Sequence, residues 1–176
     1  VMTDMGNTVV ASTKTAVNVV RHASKLSPGV VVQSLLGSVY VSLLTAPGVA
    51  HQVRIKELDE YRVLEAKYDG GVLMVVGTKG GKYDRLIFRF ASDNTYDIRK
   101  VEDITPTGLN FVTLDSGVCV CLTEEEKLEL FSAKRGSTAV KVVEDKALSG
   151  DMILGKKAGT LLFARGDKVY TMRMKP

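Results

Sequence analysis

Residues 70–90 read Gly-Gly-Val-Leu-Met-Val-Val-Gly-Thr-Lys-Gly-Gly-Lys-Tyr-Asp-Arg-Leu-Ile-Phe-Arg-Phe. Few chains have less freedom. Asp69-Gly70-Gly71 is a strong hairpin turn, because adjacent glycines admit positive φ without a steric penalty. An apolar run follows, then a glycine- and lysine-rich turn over 77–83, then a second apolar run. The stretch therefore reads as one β-hairpin. Its first strand, Val72–Val76, is apolar throughout and is expected to be buried on both faces. Its second strand, Arg85–Phe90, alternates in part.

Weaker copies of the unit recur. Gly37-Ser-Val-Tyr-Val-Ser-Leu-Leu, Gly70-Gly-Val-Leu-Met-Val-Val-Gly, Ser116-Gly-Val-Cys-Val-Cys-Leu-Thr and Ala158-Gly-Thr-Leu-Leu-Phe-Ala-Arg overlay on one another. With Gly37, Gly71, Gly117 and Gly159 as markers the spacings are 34, 46 and 42, and Gly6 adds a further marker 31 residues earlier. A period near 40 with about four strands per unit is how propeller blades are written. One small twisted sheet cannot bury both of its faces alone, so it stacks on its like. The inner strands are then apolar and the outer ones carry the charge.

In repeat length and strand order the chain resembles a β-propeller over residues 29–176. The likeness does not extend to signature residues. Without Trp there is no Trp-Asp dipeptide, no Gly-His pair occurs, and Gly70-Gly71 and Gly80-Gly81 do not recur as a kelch pattern requires. The fold class expected is all-β, with antiparallel hairpin repeats forming propeller-like blades. A sandwich or a barrel is the alternative. Residues 1–176 read as a single all-β repeat domain, on its own or as part of a longer chain. The first intervals are short for four strands each.

The remaining strands are placed from alternation and turn residues. Expected strands are 29–35, 39–44, 51–55, 61–67, 96–101, 109–114, 118–122, 127–131, 139–143, 152–154, 160–164 and 169–174. Turns fall at Ala46-Pro47-Gly48, Ser92-Asp93-Asn94, Asp115-Ser116-Gly117, Lys156-Lys157-Ala158-Gly159 and Gly166-Asp167. Thr123-Glu124-Glu125-Glu126 reads as a charged turn, with a Thr123-capped helix as the alternative. Residues 1–28 read as a hairpin of 6–11 with 16–20 around Thr13-Lys14-Thr15, although Ala16, Val20 and Ala23 also fit a helix face.

Hydrophobic residues make up 45% of the chain and charged residues 25%, a balance that argues against disorder. The longest apolar stretch, 29–44, is interrupted by Gln33, Ser34, Gly37, Ser38 and Ser42, so no membrane helix is expected. The start lacks the basic and apolar blocks of a signal peptide. Cys119 and Cys121 lie two apart on one expected strand face, where a bridge would close almost no loop. They are expected to be buried reduced thiols, which favours an intracellular, reducing compartment.

Net charge is +4, unevenly spread. Residues 1–56 carry five basic residues against one acidic, and residues 151–176 carry six against two. The middle carries thirteen against seventeen. Basic ends around an acidic middle suit contact with partners or with copies of the chain.

Chemistry-bearing motifs are few. The 77–83 turn fails as a phosphate loop, because Gly81-Lys82 is followed by Tyr83, Val76 stands where the first glycine belongs, and a strand follows. His22 and His51 have no evident catalytic partner, and there is no Gly-x-Ser-x-Gly elbow. No cofactor or metal is implied. The acidic groups Glu57 to Glu60, Glu102-Asp103, Glu124 to Glu126 and Glu144-Asp145 fall in turns, where paired carboxylates could serve a glycosidase. Glu102-Asp103 and Glu144-Asp145 follow Val101 and Val143 at corresponding places, as a repeated corner would. Lys79, Lys82, Lys156, Lys157, Arg165 and Lys168 are assigned to hairpin turns and are the candidate partner contacts. The expected function is a non-catalytic structural or macromolecular-interaction module, a rigid β scaffold for a protein partner or an assembly. Nucleic-acid contact through the basic turns is the second reading, and a carboxylate-dependent hydrolase the third.

Overall fold

A computed structural model describes residues 2–3, 9–11, 19–20, 25–26, 30–35, 37–46, 49–106, 108–143, 153–157, 160–165 and 167–173. The described chain is all-β. Its strands are β1 (Met2–Thr3), β2 (Val9–Ala11), β3 (Val19–Val20), β4 (Lys25–Leu26), β5 (Val30–Leu35), β6 (Ser38–Ala46) and β7 (Val49–Arg54). A single 3-10 turn, Lys56–Leu58, precedes β8 (Arg62–Asp69), β9 (Val72–Lys79), β10 (Lys82–Phe90) and β11 (Tyr96–Val101). Then come β12 (Phe111–Thr113), β13 (Val118–Leu122), β14 (Leu128–Ser132), β15 (Val140–Val143), β16 (Ile153–Lys157), β17 (Thr160–Arg165) and β18 (Lys168–Arg173). No helix among the described residues is long and apolar enough to cross a membrane.

The strands form several small sheets in chain order: β1-β2, β3-β5-β6-β7, β4-β8-β9-β10-β11, β12-β13-β14-β15 and β16-β17-β18. Sequential neighbours are antiparallel, as short connections require. The exception is β4, which runs parallel to β8 with Lys25 opposite Glu65. Of the expected hairpin of 6–11 with 16–20, only 9–11 and 19–20 are described, and these two do not pair with each other. β2 pairs with β1 and β3 pairs with β5, and Thr13-Lys14-Thr15 lies outside the described residues.

The sheets explain the uneven marker spacing. Gly71 and Gly117 each follow the first strand of a four-strand antiparallel run, β8 or β12, whereas Gly37 follows β5, the second strand of its sheet. The 34-residue interval therefore holds three strands and the 46-residue interval four. Gly37, Gly71 and Gly117 share a left-handed backbone, with φ of 82°, 87° and 82°. A side chain would be strained there. Gly6 and Gly159 lie outside the described residues.

The chain gathers into two compact units. The first comprises residues 1–68, 73–87 and 99–104. One face of its β5-β6-β7 sheet is apolar and buried, with Val32 opposite Val41 and Val41 opposite Val53. Ile55 and Leu58, both fully buried, extend this core. The other face is mixed: Val31, Gln33 and Ser42 on it are buried, and Gln52 Nε2 donates to Gln33 Oε1 at 3.3 Å. Val72–Val76 are buried without a break, as expected for a run apolar at every position. The second strand of that hairpin departs from the expected alternation. Asp84 and Arg85 are buried along with Leu86, Ile87 and Phe88. β10 lies between β9 and β11, and the buried Asp84 is accommodated by the Tyr61 hydroxyl and the Asp103 amide.

The second unit comprises residues 69–72, 88–98 and 105–176. Val112, Leu114, Val120 and Leu128 form its core, and Leu161 of β17 packs into the same cluster. Cys119 and Cys121 are free and buried, opposite Phe131 and Glu129. Burial, then the neighbouring Cys121, pushes the Cys119 thiol far up, so it stays protonated. The acidic stretch at 123–126 is a turn, closed by the Lys127 amide donating to Thr123 Oγ1 at 3.2 Å.

Candidate functional site

Two of the sequence-chosen residues, Lys79 and Lys82, flank one turn in the first unit. That turn is only Gly80-Gly81, shorter than the expected 77–83, so Lys79 ends β9 and Lys82 opens β10. Gly77 lies within β9. A Cβ there would come 3.0 Å from Tyr61 Cδ1, so a side chain at this position would crowd the ring of Tyr61.

Tyr61 is the centre of the cluster. It precedes β8 and is buried. Its hydroxyl donates to Asp84 Oδ2 at 2.5 Å, while the Asp103 amide donates to Asp84 Oδ1 at 3.0 Å. Lys79 and Lys100 bring their ammonium groups over the same ring, at 5.9 and 5.6 Å from its centroid. Lys79 also pairs with Glu60, Lys100 with Glu102 at 3.5 Å, and Lys82 with Asp103 at 3.7 Å.

Electrostatics fix the protonation states. Burial, then the hydrogen bond to Asp84, raises Tyr61 above the usual phenol range. Burial pushes Asp84 up, but the bonds from Tyr61 and Asp103 and the charges of Lys100 and Lys79 outweigh it, leaving the carboxyl lowered. The bond to Tyr61 raises Lys100, and the bond from Lys79 lowers Glu60. At neutral pH the pair is thus a phenol donating to a carboxylate. Such a pair ties β8 to β10 and β10 to the segment after β11. It offers no group that titrates near neutrality.

The same device recurs. Asp59, Asp69, Asp84 and Asp97 accept from the backbone amides of Val39, Thr113, Asp103 and Gly136 at 2.9, 2.7, 3.0 and 2.7 Å. Each also accepts from a side chain: Arg54, Lys156, Tyr61 and Arg89 respectively. Carboxylates placed this way satisfy amides that turns and strand ends leave without a ladder partner. Sequence reading passed over Asp69, Asp84, Asp97, Tyr61 and Arg89. The usable signal was an acid inside an apolar strand, as in Tyr83-Asp84-Arg85-Leu86 and Tyr96-Asp97-Ile98.

The other sequence-chosen residues belong to the second unit. Lys156 lies within β16, not at the expected turn. Its ammonium donates to Asp69 Oδ1 at 3.0 Å and Oδ2 at 3.2 Å and to the Thr113 carbonyl at 2.7 Å. Lys168 is exposed at the start of β18. Lys157 ends β16 and Arg165 ends β17, and their side chains lie outside the described residues.

The acidic groups are dispersed among basic partners. Asp59 binds Arg54, Glu60 binds Lys79, and Glu125 meets Lys127 at 3.0 Å. Glu144 and Asp145 lie outside the described residues, as does His22, while His51 is exposed on β7. Among the described residues no group of three or more His, Cys, Asp and Glu is placed to hold a metal. No family model matches the chain, and neither a curated protein nor a solved structure matches it.

Proposed function

We propose that the chain is a non-catalytic interaction module, a rigid β scaffold of propeller-like blades that binds a protein partner along the outer strands of its sheets. One observation carries the reading. The large exposed hydrophobics fall on last strands: Ile98 on β11, Val140 and Val142 on β15, and Val169 and Tyr170 on β18, with Tyr83 the exception. Apolar side chains on sheet edges, interleaved with Arg99, Lys100, Lys141 and Lys168, make an adhesive rim. The blade-like reading draws support from four-strand antiparallel runs repeated in chain order, each with a buried second strand in β9 and β13.

The competing readings draw less support. Lys79 and Lys156, central to nucleic-acid contact, already hold carboxylates. Among the described acids of those groups, Asp59, Glu60, Glu102, Asp103 and Glu125 are each paired with a basic side chain. Cross-linking of the purified native complex, mapped by mass spectrometry, tests the choice. Partner cross-links concentrated at Lys100, Lys141 and Lys168, and abolished by Val140→Glu with Val142→Glu, are expected. Salt-sensitive retention of DNA or RNA that is lost on charge reversal of Lys79 and Lys82 would replace this reading with the second.

A further inference from the structure

The last sheet differs from its neighbours at its third strand. In β8-β9-β10-β11 and β12-β13-β14-β15, the third strands β10 and β14 are covered by a fourth, and both are largely buried. β18 is the third strand of β16-β17-β18, and no fourth strand covers it among the described residues. Residues 168–171 are all exposed, and Val169 is 72% accessible. An edge with Val, Tyr and Thr in alternation on both faces is a template for another strand.

We propose that β18 is a self-association edge, taking the β18 of a second copy of this chain as the fourth strand of its sheet. The proposal rests on the interaction-module reading and names one of its partners. Charge and pleat select the register. A two-fold axis normal to the sheet keeps each face on its own side, so a residue must face its own copy at the centre. Centring on Val169 pairs only 168–170 of β18, whereas centring on Tyr170 pairs 168–172 and centring on Thr171 pairs 169–173. Charge decides between the last two, because only the Tyr170 register brings Asp167, in the turn before β18, level with Arg173. In that register Asp167 comes opposite Arg173 at both ends, Val169 opposite Thr171, Lys168 opposite Met172, and the two Tyr170 residues meet. Opposite charges and aromatic pairs directly across a ladder both favour pairing. The register that would set Lys168 against Arg173 breaks the pleat and is excluded.

Sedimentation equilibrium from micromolar to hundreds of micromolar protein tests this. A monomer–dimer equilibrium is expected. Tyr170→Lys, which sets two ammonium groups face to face, should weaken it about tenfold or more. Asp167→Arg alone should also weaken it, and Asp167→Arg with Arg173→Asp should restore it. Circular dichroism of each variant confirms that the fold is retained, and the swap pair keeps the test decisive if Tyr170→Lys fails to fold. A monomer at every concentration, or a dimer indifferent to these changes, overturns self-association at β18. Those results leave the broader reading standing if heterologous cross-links still map to Lys141, and remove both if they do not.

Discussion

β10 and β18 hold the same place, third in an antiparallel run, and differ in almost everything else. β10 is buried from Asp84 to Phe88, while β18 is exposed from Lys168 to Thr171. Position in the repeat therefore does not decide burial. What decides it is the presence of a strand beyond and an apolar run able to use the cover. β10 supplies Leu86-Ile87-Phe88, and β11 lies against it with Tyr96 set edge-on to Phe88 at 5.5 Å.

The largest expected effect is the one that would break this contrast outright. Phe88→Ala removes a fully buried ring and should cost about 3–5 kcal/mol, read from urea denaturation. Tyr170→Ala in monomeric protein should stay within about 0.5 kcal/mol. Similar costs at the two sites would mean that exposure is a poor guide to the energetics of the last sheet.

A smaller effect separates the two strands by pH. Asp84→Ala leaves the Tyr61 hydroxyl and the Asp103 amide without their acceptor, a loss of about 1.5–3 kcal/mol for bonds to a charged group. The folded-state pKa of Asp84 is lowered, so its contribution is present above the carboxylate's unfolded pKa and fades as pH falls through the folded one. Stability of the parent should therefore drop below about pH 4 more steeply than that of Asp84→Asn. Parallel acid titrations of the two proteins would discount the clamp.

What could be read from the chain beforehand follows the range of the interactions. Val72–Val76 was legible because an unbroken apolar run leaves one burial outcome. The Gly80-Gly81 hairpin, the 123–126 turn and the exact limits of β13 were legible because turn chemistry is local. The acid inside β10 was visible, but its role was not, because its partners Tyr61 and Asp103 come from distant parts of the chain. The phase of Gly37 was hidden for a related reason. A glycine marks a hairpin but not which hairpin of its sheet. Lys156 was drawn into a turn by Ala158-Gly159, whereas pairing of Ile153 with Ala164 and Lys157 with Thr160 carries β16 through both lysines.

That misplacement points to the smallest effect and the finest distinction. The last sheet is fastened on the side of β16 and open on the side of β18. Lys156 reaches both Asp69 carboxylate oxygens and the Thr113 carbonyl, and Asp69 in turn holds the Thr113 amide. The ammonium is partly exposed, so solvent screens the pair, and Lys156→Met should cost only about 1 kcal/mol. Lys168→Met, at the exposed start of β18, should change stability by less than about 0.5 kcal/mol. Amide exchange sharpens the reading further, because loss of the Lys156 anchor should speed opening of β16 and β17 while leaving β13 protected. Equal acceleration across both sheets would show that Leu161, packed with Val112 and Val120, couples them more strongly than the lysine does.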